Sequence, residues 1–218
     1  MKWVGINLFE NDAEKSGPRR IETLWSNLDQ YLDDGFIAVY LCYIASISKQ
    51  RVVFVDPLAA SPEHVEFTQC SVINSCFNYD ANVDTEIILI PIHFPGHWGI
   101  VIYDSAFACA FYLDSLPHSP SRLDADSAGK RRIQTIISEI IPFISMDNIG
   151  ILSLDHNVTC QNDGVSCGYF IIFYAEAWIF NNRNLQLDLM NINNEKRRIL
   201  WHINELYSND AITYHSRY

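Results

Sequence analysis

Gln161-Asn162-Asp163-Gly164-Val165-Ser166-Cys167-Gly168 runs without a break into Tyr169-Phe170-Ile171-Ile172-Phe173-Tyr174-Ala175-Glu176-Ala177-Trp178-Ile179-Phe180. The front of this stretch is polar and contains a glycine. From Cys167 onward it is apolar on nearly every side, and Glu176 is its single charge. A helix that is hydrophobic all round is a buried one, so residues 167–180 are expected to form the central helix, with Cys167 at its start. There the unpaired N–H groups and the helix dipole favour a thiolate. Gln161, earlier in the loop, can offer a side-chain N–H to a developing oxyanion, with the Cys167 backbone N–H as a second donor. The other reading of Cys167 is one more buried cysteine. It suits Cys42, Cys70, Cys76, Cys109 and Cys160 better than it suits a residue between a polar loop and a buried helix.

Upstream, the period changes. Residues 86–94 (EIILIPIHF), 97–104 (HWGIVIYD) and 108–113 (ACAFYL) are short, β-branched and aromatic, and read as three strands. With a turn centred between Ser105 and Ala106, Asp104 pairs with Phe107 and His97 with Asp114. Directly opposed residues share a sheet face, so this register sets an imidazole beside a carboxylate at the open end of a hairpin. Such a carboxylate orients the ring and stabilises its charged form. Taken alone the pair reads as ordinary strand-end polar residues; with a nucleophile candidate in the chain it becomes a candidate dyad.

Further out, Ile21, Leu24, Leu28 and Leu32 have helical spacing across 20–33, and Ile37, Tyr40, Leu41 and Ile44 repeat it across 35–48. Asp33 or Asp34 is placed to cap that second helix. Pro62 can open a helix running to Phe77. Ile133, Ile136, Ile137, Ile140 and Ile141 mark an amphipathic helix, residues 149–154 a strand, and residues 193–208 a closing amphipathic helix. Helices around a few central strands give an α+β class, not a regular βαβ alternation. The polar stretch 118–130 reads as an exposed loop, and the Lys196-Arg197-Arg198 run as a solvated helix face. His93 and His97, taken at i and i+4 on one strand face, make at most half a metal site. No ligand-spaced cluster completes it, so His93 is expected to be structural and no metal or organic cofactor is implied.

The chain has 218 residues, 49% of them hydrophobic and 19% charged, enough for one sizeable core and against disorder. Fifteen Lys and Arg against 26 Asp and Glu leave a net charge of −11, which argues against nucleic acid as a partner. No apolar run is long enough to span a membrane, and the N-terminus lacks a signal-peptide pattern. Six scattered cysteines without a CxxC fit a reducing, intracellular setting, cytoplasm or nucleus.

The order His97-Trp98, Tyr112-Leu113-Asp114-Ser115 and Gln161-x-x-Gly164-x-x-Cys167-Gly168 resembles the ubiquitin-like-protein-specific cysteine proteases, the Ulp/SENP family related to adenain. Leu89-Ile90-Pro91-Ile92-His93 resembles the family's preceding strand, and Tyr31-Leu32-Asp33-Asp34 its Trp-Leu-Asn-Asp helix start. The similarity spans roughly residues 28–207, so a single papain-like catalytic domain over 1–218 is expected. The resemblance implies Cys167 as nucleophile, His97 as general base, Asp114 as the group orienting it, and Gln161 as oxyanion donor. It implies Trp98 as the roof of a narrow tunnel for a Gly-Gly tail, beside Tyr31, with Asp33, Asp34, Gly164 and Ser166 lining the substrate path. A slot roofed by an indole suits two residues without side chains. Two positions depart from the pattern: Ser166 stands where the family commonly has Asp, and Tyr31 where it has Trp.

The implied activity is hydrolysis after the C-terminal diglycine of a ubiquitin-like modifier, in conjugates, in precursors or in both, by a monomer. A Nedd-type modifier is expected over a SUMO-type one. The motifs start near Tyr31 without a long extension, and an acidic chain suits a modifier tail that carries an arginine, which Asp33 and Asp34 can meet. The alternatives are a same-fold deubiquitinase, an acetyltransferase with the same triad logic, and a catalytically weak modifier-binding module.

Overall fold

The structure is a computed structural model, and it describes residues 24–57, 76–116, 127–141, 144–154 and 158–208. Its elements are α1 (Asp34–Ile47), β1 (Val52–Val55), β2 (Cys76–Phe77), β3 (Ile87–Phe94), β4 (His97–Asp104) and β5 (Cys109–Leu113), followed by α2 (Ser127–Ile140), β6 (Gly150–Ser153), α3 (Cys167–Phe180) and α4 (Ile192–Ser208). Six strands form one mixed sheet in the order β2-β1-β3-β4-β5-β6. The pairs β1–β3 and β5–β6 are parallel and the other three antiparallel. This is the expected α+β class.

Alternation along the strands separates two cores. Phe54, Leu89, Ile100, Ile102 and Leu113 face α1, α3 and α4, whereas Ile88, Ile90, Val101 and Tyr112 face the isoleucines of α2. Strands buried on both faces read as continuous apolar runs, which is why EIILIPIHF shows no alternation of its own. β1 escapes sequence analysis for that reason: four buried residues directly after a helix carry no periodic signal. Cys76 and Phe77, expected at the end of a helix from Pro62, instead pair with β1; the rest of that expected helix lies outside the described residues. The 118–130 loop also lies largely outside them, except that Ser127 already belongs to α2.

The helix expected over 20–33 is helical at 24–26 and has ended at Asn27. There the Asn27 side chain accepts from Asp29 N–H at 3.1 Å, a local bond that competes with helix continuation. Asp33 caps α1 as expected, its Oδ1 accepting from Phe36 N–H at 2.9 Å.

Two turns set the site's strands. Pro95-Gly96 links β3 to β4, with Gly96 at φ +70 and Phe94 opposite His97. Proline followed by a left-handed glycine is the type II combination, and it starts β4 at His97. His93 and His97 therefore sit on different strands and share no i, i+4 face. The β4–β5 register also differs from expectation. Ile100 pairs with Leu113 and Asp104 with Cys109, across the connection Ser105–Ala108. A two-residue turn would need left-handed backbone at Ser105 and Ala106, which neither residue favours. Instead Asp104 Oδ1 accepts from Ala106 N–H at 3.0 Å, and the strain is taken by Ala108 at φ +49. The shift keeps His97 and Asp114 on one face, because it moves the partner by two residues and the side-chain period is two.

The Lys196-Arg197-Arg198 run is not a uniformly solvated face. Arg197 is exposed, but Lys196 is buried, and Arg198 forks onto Glu176 at 2.6 and 3.0 Å while the Tyr40 hydroxyl also reaches that carboxylate. The pairing explains how the one acid of α3 is tolerated.

Candidate active site

Cys167 is the first residue of α3 and is 1% exposed. The turn that delivers it is shaped by Asp163. Its Oδ1 accepts from Val165 N–H at 2.9 Å and Ser166 N–H at 2.8 Å, and its Oδ2 accepts from the Ser166 hydroxyl at 2.5 Å. Burial pushes the Asp163 carboxyl up, but the Ser166 hydroxyl and the two N–H groups outweigh it and hold the group below the usual range. Gly168 follows because nothing larger fits: a Cβ there would lie 2.9 Å from Leu32 Cβ and 3.3 Å from the Leu32 carbonyl. The glycine lets α3 begin against the segment that leads into α1.

His97 and Asp114 meet as the sequence suggested, although through the shifted register. His97 Nε2 lies 2.6 Å from Asp114 Oδ1, and both side chains are buried. The other face of that carboxylate accepts from the Tyr112 hydroxyl at 2.9 Å, and Oδ1 accepts from Leu116 N–H at 2.9 Å. The Tyr112 ring lies over Gly99, where a Cβ would approach it to 2.9 Å. A glycine inside a strand here marks a close approach. With Nε2 held by Asp114, the other ring nitrogen is left for a further partner, and Cys167 is among the groups that act on the ring. Burial lowers the His97 pKa, but the hydrogen bonds and charges of Asp114 and Cys167 more than reverse this and lift it from 6.5 to about 9. Burial likewise raises the Asp114 carboxyl, and His97 with the two other donors overcomes it and holds the group low.

Gln161 stands beside this pair on a doubly anchored loop. Its N–H donates to the Ser115 carbonyl at 2.8 Å, and its Oε1 accepts from the buried Ser115 hydroxyl at 2.5 Å. Its Nε2 donates to the Asp163 carbonyl at 2.6 Å. A carbonyl can only accept, so the amide orientation is determined, and Nε2 keeps a second N–H for another acceptor. Ser115 directly follows Asp114, so one strand end orients both the histidine and the glutamine.

The expected substrate-side residues are less uniform. Trp98, 6% exposed, packs into the core with its ring 4.6 Å from the His93 ring. Tyr31 is 54% exposed and Asp34 is also at the surface. Asp33 spends a carboxylate oxygen on the α1 cap, and Ser166 is fully buried and bonded to Asp163. Gly164 is exposed and has open space where a side chain would stand. Among the described residues no group of three or more His, Cys, Asp or Glu is arranged to hold a metal ion.

The model of the Ulp1 protease family, C-terminal catalytic domain, matches residues 30–207, well over half of the chain. The chain belongs to the Ulp1 protease family. Sentrin-specific protease 2 from Pongo abelii is 28% identical over 128 residues, which cover 55% of this chain and 20% of that protein. The Rattus norvegicus protein of the same name is 27% identical over the same length. The match thus spans about a fifth of these relatives. Among solved structures, a Ulp1 protease domain in complex with SMT3, the yeast ortholog of SUMO, superposes with a TM-score of 0.64 at 18% identity, over 88% of this chain and 82% of that one. SUMO protease Ulp1 with its catalytic cysteine oxidised to a sulfinic acid gives 0.65 at 16% identity, over 95% and 99%. The fold is that of Ulp1.

Within this Ulp1-family frame, sequence analysis missed Asp163, Tyr112 and Ser115. Two of the three have a local signal. An Asp four residues before the first helical residue, within a polar glycine loop, is a turn-forming pattern, and Tyr112 shares the Asp114 face by strand alternation. Ser115 follows the strand end and has no such signal.

Proposed function

We propose that the chain is a single-domain cysteine protease that hydrolyses the bond after the C-terminal diglycine of a ubiquitin-like modifier. The observation that carries this reading is the buried His97–Asp114 contact of 2.6 Å, with Cys167, at the head of the central helix, among the groups that raise the His97 pKa. In this reading the Cys167 sulfur, its proton passed to His97, attacks the glycine carbonyl carbon, and the oxyanion is received by the second N–H of Gln161 and the Cys167 N–H. His97 then protonates the leaving amine, and water activated by the neutral ring hydrolyses the thioester. Trp98 and Tyr31 flank the tail, and Gly164 leaves room beside it.

The finer question is the modifier. The relatives' names favour a SUMO-type partner. The Nedd-type preference rests on the net charge of −11 and on exposed Asp34; Asp33 supports it less, since one of its oxygens caps α1. The deciding experiment uses SUMO-type, Nedd-type and ubiquitin modifiers carrying a C-terminal electrophile. A protease forms a covalent adduct at Cys167 that Cys167→Ser abolishes. An acetyltransferase or a binding module forms none, and the most rapidly captured modifier identifies the preference.

A further inference from the structure

One buried cation has no part in the chemistry above. Lys196 of α4 is 1% exposed, and its Nζ donates to the Leu28 carbonyl at 3.3 Å. It also stands 3.6 Å from Asp163 Oδ2 and 5.5 Å from the centre of the Tyr169 ring. An ammonium out of water is costly unless paired, so the acceptors around it decide where it sits. Those acceptors belong to two segments that border the site from opposite directions in the sequence. Leu28 lies in the non-helical run that carries Tyr31 and ends at the α1 cap. Asp163 lies in the loop that ends at Cys167, where it holds the Val165 and Ser166 N–H groups and the Ser166 hydroxyl, while its carbonyl anchors Gln161.

From this we infer that Lys196 is a positioning residue for the reaction: through Asp163 it holds the turn that aligns Cys167 with Gln161, and through Leu28 it ties that turn to the Tyr31 segment. The inference rests on Cys167 being the nucleophile. A purely structural lysine would have no reason to meet the one carboxylate that shapes the nucleophile turn. A neutral side chain of the same length would fill the space without a desolvation cost.

The test uses Lys196→Met, Asp163→Asn and the double variant of the whole chain. Asp163→Asn keeps an acceptor for the two N–H groups and removes the charge. Two readouts are taken: kcat on a fluorogenic modifier substrate, and the rate at which iodoacetamide alkylates Cys167. Alkylation needs no modifier and reports the turn directly. Lys196→Met and Asp163→Asn are each expected to lower both about tenfold, as for loss of one charge-assisted contact, with no further loss in the double variant. A lowered Tm with wild-type kcat and alkylation overturns the inference, as do losses that multiply in the double variant. If Lys196→Met does not fold, Asp163→Asn decides alone. Failure of the unaltered protein to be labelled at Cys167 by any modifier electrophile overturns the proposed function instead.

Discussion

Asp114→Asn removes a charge from the candidate site and little else. The carboxylate accepts from His97 and from Leu116 N–H on Oδ1, and from the Tyr112 hydroxyl on Oδ2. An asparagine with its oxygen at the Oδ1 position keeps the first two bonds, and its NH₂ can donate to the Tyr112 oxygen. The fold is therefore expected to survive. His97 changes, because burial pushes its pKa down and the Asp114 carboxylate is the leading influence lifting it from 6.5 to about 9. That lift corresponds to on the order of 3 kcal/mol of preference for the charged ring. Losing it is expected to lower kcat/KM about a hundredfold on a fluorogenic modifier substrate. The alkaline limb of kcat/KM, which follows loss of the imidazolium proton that the leaving amine needs, is expected to move to lower pH. Stability carries the same sign. A pKa raised on folding stabilises fully below the unfolded value of 6.5, and the contribution is lost as pH rises through about 9. The Tm gap between the protein and Asp114→Asn is thus expected to be widest near pH 6 and to close towards pH 9.5. A variant with kcat/KM within threefold of the unaltered protein and the same pH profile of kcat/KM refutes the reasoning.

Gln161→Ala is expected to cost about 10²–10³ in kcat as the loss of one oxyanion donor, and steady-state kinetics showing an unchanged kcat would move that role elsewhere. Trp98→Ala is expected to lower kcat/KM and to destabilise by about 3–5 kcal/mol, since the indole is both buried and beside His97; Trp98→Phe restoring stability but not kcat/KM on a diglycine substrate would separate the two contributions. Gly168→Ala pushes a methyl to 2.9 Å from Leu32 Cβ, so a Tm drop corresponding to about 1–3 kcal/mol is expected by calorimetry, together with slower alkylation of Cys167.

Local pattern was sufficient wherever one segment's own residues carry the message. The unbroken apolar run bounded by a polar glycine loop marks 167–180, and α3 spans those residues. The strands flanking His97 and the Asp33 cap are legible for the same reason, since apolar runs, turn residues and caps act within a few positions. Cys167, His97 and Asp114 sit at or next to the ends of such elements and Gln161 in the loop before α3, and the four were read as a set from the resemblance of their motifs to the Ulp/SENP family. What the tertiary structure decided is which segment meets which. The β4–β5 register follows from how Asp104 closes its turn, not from strand patterning, which any even shift satisfies. The 20–33 helix stops early because Asn27 offers the backbone a competing bond, and β1 is recognisable only by its parallel partner β3. Lys196 and Arg198 look like surface charge in the sequence and are drawn inward by partners far away along the chain: Leu28 and Asp163 for one, Glu176 for the other. Periodicity encodes which face of an element is buried; it holds no information on what the opposite surface supplies, as the Lys196–Asp163 contact across the fold illustrates.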